Sequence, residues 1–558
     1  MIMQLSPLHL SVASLLSGRL FNIPDYQRAY SWQSRQRSDL FKDIREARIS
    51  GREHFMSTVV ALARGKKVIS ADEFQSVDIV DGQQRITTII ILLKAIEKKL
   101  NENTSRDDEK VKRDLNDLLV KGDDHSLVLL QTNHDSSNVF TKYLRGGGIE
   151  SQPATTAAEK NIIDAIIDCE NFVDAWVSQY TLIELVGTIR NKLSVIYHQI
   201  DDEATVYRVF EVLNSRGLDV KWIDKTKSQL MASIFEHVED GARDNGLREM
   251  RSTWRNIYHH LGLEHALGGE ALRFAGTLAL PSRPNRIVSE ETASGELIEK
   301  GGQELKTIIH TAEWLSEIVT LLSRLRSDPR RAAVTKILHA RFLAVSIMLR
   351  KFEKEREYRL LMAWEKVSFR IYGLGGADTR TKVGEYVRLS YDIHSENLSE
   401  SLILSRIDEL GSDYDIGPLL KDQDYWGDCY NGWTEELRYL LFRYDEHLAA
   451  DSGEKINLSQ WKKIWADDPA KSIEHISPQS ADTDYTHHLG NLTMLPPGVN
   501  SSLKDIPPTE KAEKYLKHGL RGTLAVGGTI IEGKKWGKKQ VRDRANSILD
   551  FIKEEWGS

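Results

Sequence analysis

Cysteine is nearly missing from this chain, with two residues, Cys169 and Cys429, among 558. They lie far apart, and neither belongs to a CxxC or Cys/His cluster. A disulfide framework is therefore excluded, and a structural zinc site has no support. Long apolar runs are lacking too, since no stretch approaches the ~18 uninterrupted apolar residues of a membrane helix. Met1 to Leu20 shows no cationic start ahead of an apolar run and no small-residue cleavage site. The expectation is a cytoplasmic protein without a membrane partner. Nor is there an excess of one charge: 75 Lys plus Arg face 82 Asp plus Glu, for a net −7. This excludes a uniformly basic nucleic-acid coat but not a local basic groove, because steering depends on where charge sits.

What is present is enough apolar residue, 40% of the chain against 28% charged, to bury real cores. The length suggests about three or four domains. Up to about residue 235, strand and helix signals alternate. Val77-Asp78-Ile79-Val80 favours a strand and ends at Asp81-Gly82, a turn pair; Ile86 to Ile96 then reads as an apolar helix. The charged stretch 97–124 reads as a solvated helix or loop, and Gly146-Gly147-Gly148 as a break. Ile162, Ile163, Ala165, Ile166, Phe172 and Trp176 then mark an amphipathic helix. Between about Lys225 and Leu420 helical patterns dominate, interrupted at Pro281, Pro284 and Pro329. From about 430 the chain is rich in Trp and becomes punctuated by Gly and Pro after Ser477. The expected fold is α/β at the N-terminus, all-α in the middle, and α-rich at the C-terminus around a small ββα unit.

Positive charge is local. Residues 320–373 hold 13 Lys/Arg against 5 Asp/Glu, and 501–558 hold 12 against 8. Arg324, Arg326, Arg330 and Arg331 are the candidate DNA-binding residues. The bland alternative is a solvated helix face, which Glu353, Glu355 and Glu357 support.

One constellation carries chemistry near the C-terminus. Ser472-Ile473-Glu474-His475-Ile476-Ser477-Pro478-Gln479 precedes Leu489-Gly490-Asn491-Leu492-Thr493-Met494-Leu495 and then Asn500-Ser501-Ser502. The pattern reads as strand, loop, strand and helix start, gathering a carboxylate, an imidazole and two amides. Phosphodiester hydrolysis needs a base for water and hard oxygen ligands for a divalent cation. An imidazole with an ordinary pKa near ~6.5 suits the first role; carboxylate and amide oxygens suit Mg²⁺. His487 and His488 sit in a polar loop and read as non-catalytic; zinc binding through His475, His487 and His488 would lack any Cys support.

The whole string resembles the HNH (ββα-metal) nucleases, and closely their GmrD-like branch. Trp536, Val541, Arg544, Ile548 and Trp556 keep the spacing of that branch's closing helix. The resemblance implies catalytic positions at His475, the general base, and Asn491, the brace of the hairpin. It implies metal ligands at Glu474 and Asn500 for one Mg²⁺ or Mn²⁺ ion.

A second set lies at the N-terminus. Phe21-Asn22-Ile23-Pro24-Asp25-Tyr26-Gln27-Arg28-Ala29-Tyr30-Ser31-Trp32 packs aromatics, an amide and a guanidinium around one Pro. Asp81-Gly82-Gln83-Gln84-Arg85 stands where a strand turns into a helix whose N-terminus favours an anion. A third string runs from Phe210 through Asn214 and Gly217 to Asp224 and Lys227. In this order the three resemble the GmrS-like DGQQR domain, which has a ParB-like fold; the resemblance spans about residues 5–235. It implies binding and hydrolysis of GTP or ATP, with Asp81, Gly82, Gln83, Gln84, Arg85, Asn214 and Lys227 as nucleotide-binding residues. Pro24, Tyr26, Gln27 and Arg28 would belong to that pocket or to a modification-sensing surface. Gly528-Thr529-Ile530-Ile531-Glu532-Gly533-Lys534 mimics a Walker A loop, but Lys535 replaces its hydroxyl residue, and the run reads as a surface turn.

The resemblances divide the chain into a GmrS-like sensor (1–235), a helical coupling region (236–425) and a GmrD-like nuclease domain (426–558, core 470–520). Together they imply a modification-dependent, metal-dependent DNA endonuclease of bacterial anti-phage defence with NTPase activity. Its partners would be double-stranded, modified DNA and a nucleoside triphosphate, with a homodimer or other defence-system proteins as further candidates. The rivals are a nucleotide-gated DNA-binding or toxin-like regulator with a structural HNH unit, and an RNA nuclease.

Overall fold

The computed structural model describes residues 7–24, 27, 29–69, 72–100, 106–120, 130–132, 137–146, 148, 153–200, 221–264, 266–465 and 468–557. They fold into two compact units. One comprises Met1–Ala279 with Val288–Thr320, the other Leu280–Ile287 with Leu321–Ser558.

The first unit is built on a mixed six-stranded sheet of β1 (Leu8–Ser11), β2 (Arg19–Ile23), β3 (His54–Ile69), β4 (Asp72–Asp81), β5 (Leu130–Thr132) and β6 (Leu193–Ile200). The spatial order is β1-β6-β3-β4-β2-β5. β3 and β4 form an antiparallel pair, whereas β2–β4, β2–β5 and β3–β6 are parallel. Parallel neighbours need crossover connections, and helices supply them. The expected strand at 77–80 is the buried end of β4, and the chain turns at Gly82 directly into helix Gln83–Leu100. Ile86, Ile89, Ile90, Leu93 and Ile96 are all buried, as a helix that is apolar nearly all round must be. Helix Ala157–Val177 starts at a capping box in which Thr156 and Glu159 satisfy each other's backbone N–H groups. Ile162, Ile166, Phe172 and Trp176 on this helix join the same core.

The second unit is helical apart from one two-stranded ribbon, among the described residues. β7 (Ile473–His475) pairs antiparallel with β8 (Leu492–Met494) in the register Ile473↔Met494, Glu474↔Thr493, His475↔Leu492. Helix Pro497–Leu503 follows, with Pro at its first turn. Ile476, Leu495, Leu503, Ala512, Tyr515, Val526 and Ile530 form the core beneath the ribbon. Ile530 corrects one expectation. The Walker-like run is the end of helix Arg521–Gly533, capped by Lys534 in a left-handed conformation, and not a surface turn. Burial of Val526 and Ile530 against Tyr515 draws those glycines into a helix.

No helix among the described residues is long and apolar enough to cross a membrane.

Candidate functional site

The ribbon places Glu474 and His475 next to each other, and successive strand residues point to opposite faces. Their partners follow that rule. Glu474, 3% exposed, accepts hydrogen bonds at Oε1 from Lys511 Nζ (2.7 Å) and Tyr515 OH (2.9 Å), both from helix Pro508–His518. Lys511 is wholly buried and also donates to the His475 carbonyl at 2.7 Å. Burial pushes the Glu474 carboxyl above its ordinary pKa, against the pull of the Lys511 cation.

His475 faces the other way. Its Nε2 lies 3.1 Å from His487 Nδ1, and the amide nitrogen of Gln479 lies 3.2 Å from its Nδ1. The Tyr430 ring meets the His475 imidazole edge-on, with centroids 4.6 Å apart. Burial first, then the neighbouring His487 and the Lys511 cation, lower the His475 pKa to about 4. The ring is therefore neutral across the physiological range and able to take a proton.

Two asparagines hold this geometry. Asn491 is fully buried; its Oδ1 accepts from Ser477 N (2.8 Å) and Trp536 Nε1 (3.2 Å). Its Nδ2 donates to the carbonyls of Ser477 (3.0 Å) and Thr486 (2.9 Å). Both ends of the amide are thus engaged, tying Ser477, Thr486 and Trp536 together. Asn500, on helix Pro497–Leu503, donates both N–H bonds to Lys471 O and Ile473 O, each at 2.9 Å. That orientation turns its carbonyl oxygen away from the ribbon. The closing helix Lys538–Trp556 grips the same loop. Arg544 donates to the carbonyls of Leu492 (2.6 Å) and Gly490 (3.2 Å), and a Cβ on Gly490 would stand 1.9 Å from Val541 O.

The donors fit a hard divalent cation in kind, one carboxylate and one carboxamide oxygen. Asn500 has its amide nitrogen bonded to Lys471 O and Ile473 O, bonds that do not use its oxygen. Glu474 is already neutralised by Lys511, so a cation there competes with an ammonium group. Among the described residues no group of three or more His, Cys, Asp or Glu could hold a metal, so a zinc site at His475, His487 and His488 has no set of ligands. His488 instead caps a short turn, accepting from Gly490 N at Nδ1 (3.1 Å). Lys511, Tyr515 and Tyr430 did not stand out in the sequence, and His487 did so only as a loop residue read as non-catalytic. For His487 a signal existed: His475 pairs with Leu492 across the ribbon, so the loop entering β8 must return beside it.

At the N-terminus the structure joins two of the motif strings. Gln27 Nε2 donates to Val80 O (2.6 Å), Gln84 Oε1 accepts from Ser31 N (2.8 Å), and Gln84 Nε2 donates to Ala29 O (3.3 Å). Tyr30 OH meets the Thr88 hydroxyl at 2.9 Å, and the Arg85 guanidinium lies 5.7 Å from the centre of the Trp32 ring. Gly82 has φ +91°, and an added Cβ would meet Val59 Cγ2 at 2.9 Å. Pro24, Gln27, Gln83 and Gln84 are buried, while Asp81 and Arg85 are half-buried around the turn. Gln84 thus serves as a tie between segments. Lys227 is buried on helix Trp222–His237, its ammonium 5.3 Å from the Tyr258 ring centre. Tyr26, Arg28 and Asn214 lie outside the described residues.

Three of the four candidate DNA-binding arginines line one cavity of about 490 Å³ with Asp328, Glu357, Tyr358 and Trp461. Arg324 pairs with Glu357 (2.8 Å) and Arg330 with Asp328 (2.9 Å). Arg331 is 8% exposed and bonded to Glu365 at 2.9 Å. It is a correction to the DNA-facing set, because a buried, paired guanidinium cannot reach a backbone phosphate. Arg326 is exposed at the end of helix Leu305–Arg326.

Comparison with known families agrees with both ends of the chain. Residues 12–231 match the model of the GmrSD restriction endonuclease N-terminal domain. Residues 420–551 match that of the GmrSD restriction endonuclease C-terminal domain. No curated protein matches the chain. With both domains of one family present in a single polypeptide, the chain belongs to the GmrSD restriction endonucleases.

Proposed function

We propose that this chain is a modification-dependent DNA endonuclease whose cutting centre is the β7–β8 ribbon, an HNH unit with His475 as general base. The observation that carries the reading is the His475 imidazole at the end of β7, beside a loop that Asn491 ties to Ser477, Thr486 and Trp536. His475 takes the proton of the attacking water as the water oxygen bonds to phosphorus and the ester oxygen departs. Lys511 and Tyr515 keep the β7 backbone and Glu474 in place, while Arg544 and the Gly490 contact hold β8. Glu474 and Asn500 would hold a Mg²⁺ or Mn²⁺ ion, which supplies positive charge to the phosphate and the leaving oxygen when bound.

The N-terminal turn would bind GTP or ATP. Gly82 lets the strand enter the helix tightly, and the positive end of helix Gln83–Leu100, with Arg85 beside it, favours phosphate. Hydrolysis there would regulate cleavage, and the Pro24–Arg28 segment would take part in sensing the modification. The test is incubation of the full chain and Mg²⁺ with a panel of plasmids, with and without GTP or ATP. The panel is unmodified, methylcytosine-bearing, glucosylated and phosphorothioate DNA. Cleavage of at least one modified plasmid, changed by nucleotide, is expected. Equal cleavage of all four, or of none, contradicts the reading.

A further inference from the structure

We infer that Lys511 and Tyr515 decide which divalent cation the ribbon accepts, by occupying one oxygen of Glu474 so that Mg²⁺ or Mn²⁺ is favoured over Ca²⁺. The inference rests on the reading of Glu474 and Asn500 as the holders of that ion and adds the residues that select it.

An ionised carboxylate offers about four lone-pair positions, two on each oxygen. Two donors fill those of Glu474 Oε1: Lys511 Nζ at 2.7 Å and Tyr515 OH at 2.9 Å. Oε2 accepts no hydrogen bond from the described residues, although the Glu474 side chain is only 4% exposed. A buried carboxylate oxygen without a partner is costly, so Oε2 is the atom at which a cation gains most.

The two donors are fixed. Lys511 and Tyr515 stand four residues apart on helix Pro508–His518 and therefore share one face of it. Neither has any exposed surface. Lys511 Nζ is tied a second time, to His475 O at 2.7 Å, and Tyr515 packs in the core with Ile476 and Leu495. Oε1 is thus held by groups that packing keeps in place, and a cation meets Glu474 through one oxygen.

That restriction separates the hard cations. Ca²⁺ takes about six to eight oxygens and often both from one carboxylate, whereas Mg²⁺ is smaller, octahedral and keeps several of its waters. Mn²⁺ shares the octahedral oxygen preference. With Oε2 of Glu474 and one oxygen from Asn500, the chain offers too few ligands to replace the water around Ca²⁺. It offers enough for an ion that retains most of its own. The Lys511 ammonium repels every divalent cation alike, so overall affinity does not report selection; the ratio between two ions does.

The test is calorimetric titration of the full chain with MnCl₂ and with CaCl₂, without nucleotide or DNA. The parent is compared with Tyr515→Phe, Lys511→Met and Asn500→Ala, with melting temperatures recorded. The parent should bind Mn²⁺ at least about tenfold more tightly than Ca²⁺, the worth of one hydrogen bond to a charged group. Lys511→Met should tighten both ions and narrow that ratio about tenfold, because Oε1 becomes available to Ca²⁺. Tyr515→Phe alters no charge and should narrow it about threefold. Asn500→Ala should weaken Mn²⁺ binding at least about tenfold. That weakening beside an unchanged ratio in Tyr515→Phe and Lys511→Met overturns this inference and spares the reading of the metal site. Mn²⁺ binding that Asn500→Ala leaves as in the parent overturns that reading and the inference with it. Should Lys511→Met not fold, Tyr515→Phe decides: a narrowed ratio supports selection, and the parent's ratio overturns it.

Discussion

Lys511 and Glu474 form an ion pair of 2.7 Å in which neither side chain has more than 4% of its surface exposed. Removing one partner of such a pair leaves an uncompensated buried charge, at a cost of about 3–5 kcal/mol. Lys511→Met should therefore destabilise the full chain by about that amount in urea denaturation. Adding Glu474→Gln should return part of the loss, because the stranded charge goes with it. Strictly additive effects of the two substitutions would remove the pair from the account.

Gly490 is the tightest backbone approach at the site. A Cβ there would stand 1.9 Å from Val541 O and 2.8 Å from its carbonyl carbon, and backbone cannot swing aside as a side chain can. Gly490→Ala should cost about 3 kcal/mol or more, at the upper end of overpacking. It should also impair cleavage, since Arg544 and Asn491 hold the same loop. A melting temperature equal to that of the parent contradicts the clamp.

The pH profile follows from burial of His475. With its pKa lowered to about 4, the base stays unprotonated where an exposed histidine would already be charged. The folded value lies below the ~6.5 of an unfolded chain. Its contribution to stability is thus fully present above about pH 6.5 and is lost as pH falls toward 4. Single-turnover cleavage should be level from pH 8 down to about 5.5. A limb with its midpoint near 6.5 contradicts the assigned environment.

At the other end of the chain, Gly82 joins β4 to helix Gln83–Leu100 with φ +91° against the Val59 side chain. Gly82→Ala meets both the strained dihedral and a 2.9 Å contact, so a loss of about 1–3 kcal/mol is expected. Binding of GTP or ATP, followed by calorimetry, should weaken with it. Unchanged binding would separate the turn from the nucleotide.

Local pattern carried much of this in advance. The β-favouring run at 77–80, the apolar helix behind Asp81-Gly82, and the strand–loop–strand–helix of 472–502 all lie in short windows where side-chain periodicity speaks. Asn500 on the helix that follows the ribbon was legible for the same reason, whereas the part given to Asn491 came from the resemblance to the GmrD-like branch. Partners chosen across long sequence distances were not. Gln84 reaches back to Ala29 and Ser31, Lys511 reaches Glu474, and Arg331 turns inward to Glu365. A charged residue reads as solvated until the carboxylate that buries it is known, which is why the basic stretch 320–373 promised more exposed charge than Arg331 delivers. The place of His487 beside His475 was not legible, because a loop's closure is a property of the ribbon it closes.

The central claim is that His475 removes the proton from the attacking water. The measurement is cleavage of the susceptible plasmid by His475→Ala in Mg²⁺, alongside nucleotide hydrolysis and the melting temperature of the same preparation. Loss of cleavage with hydrolysis and melting unchanged is the result this account predicts. Cleavage at a rate near that of the parent would contradict it.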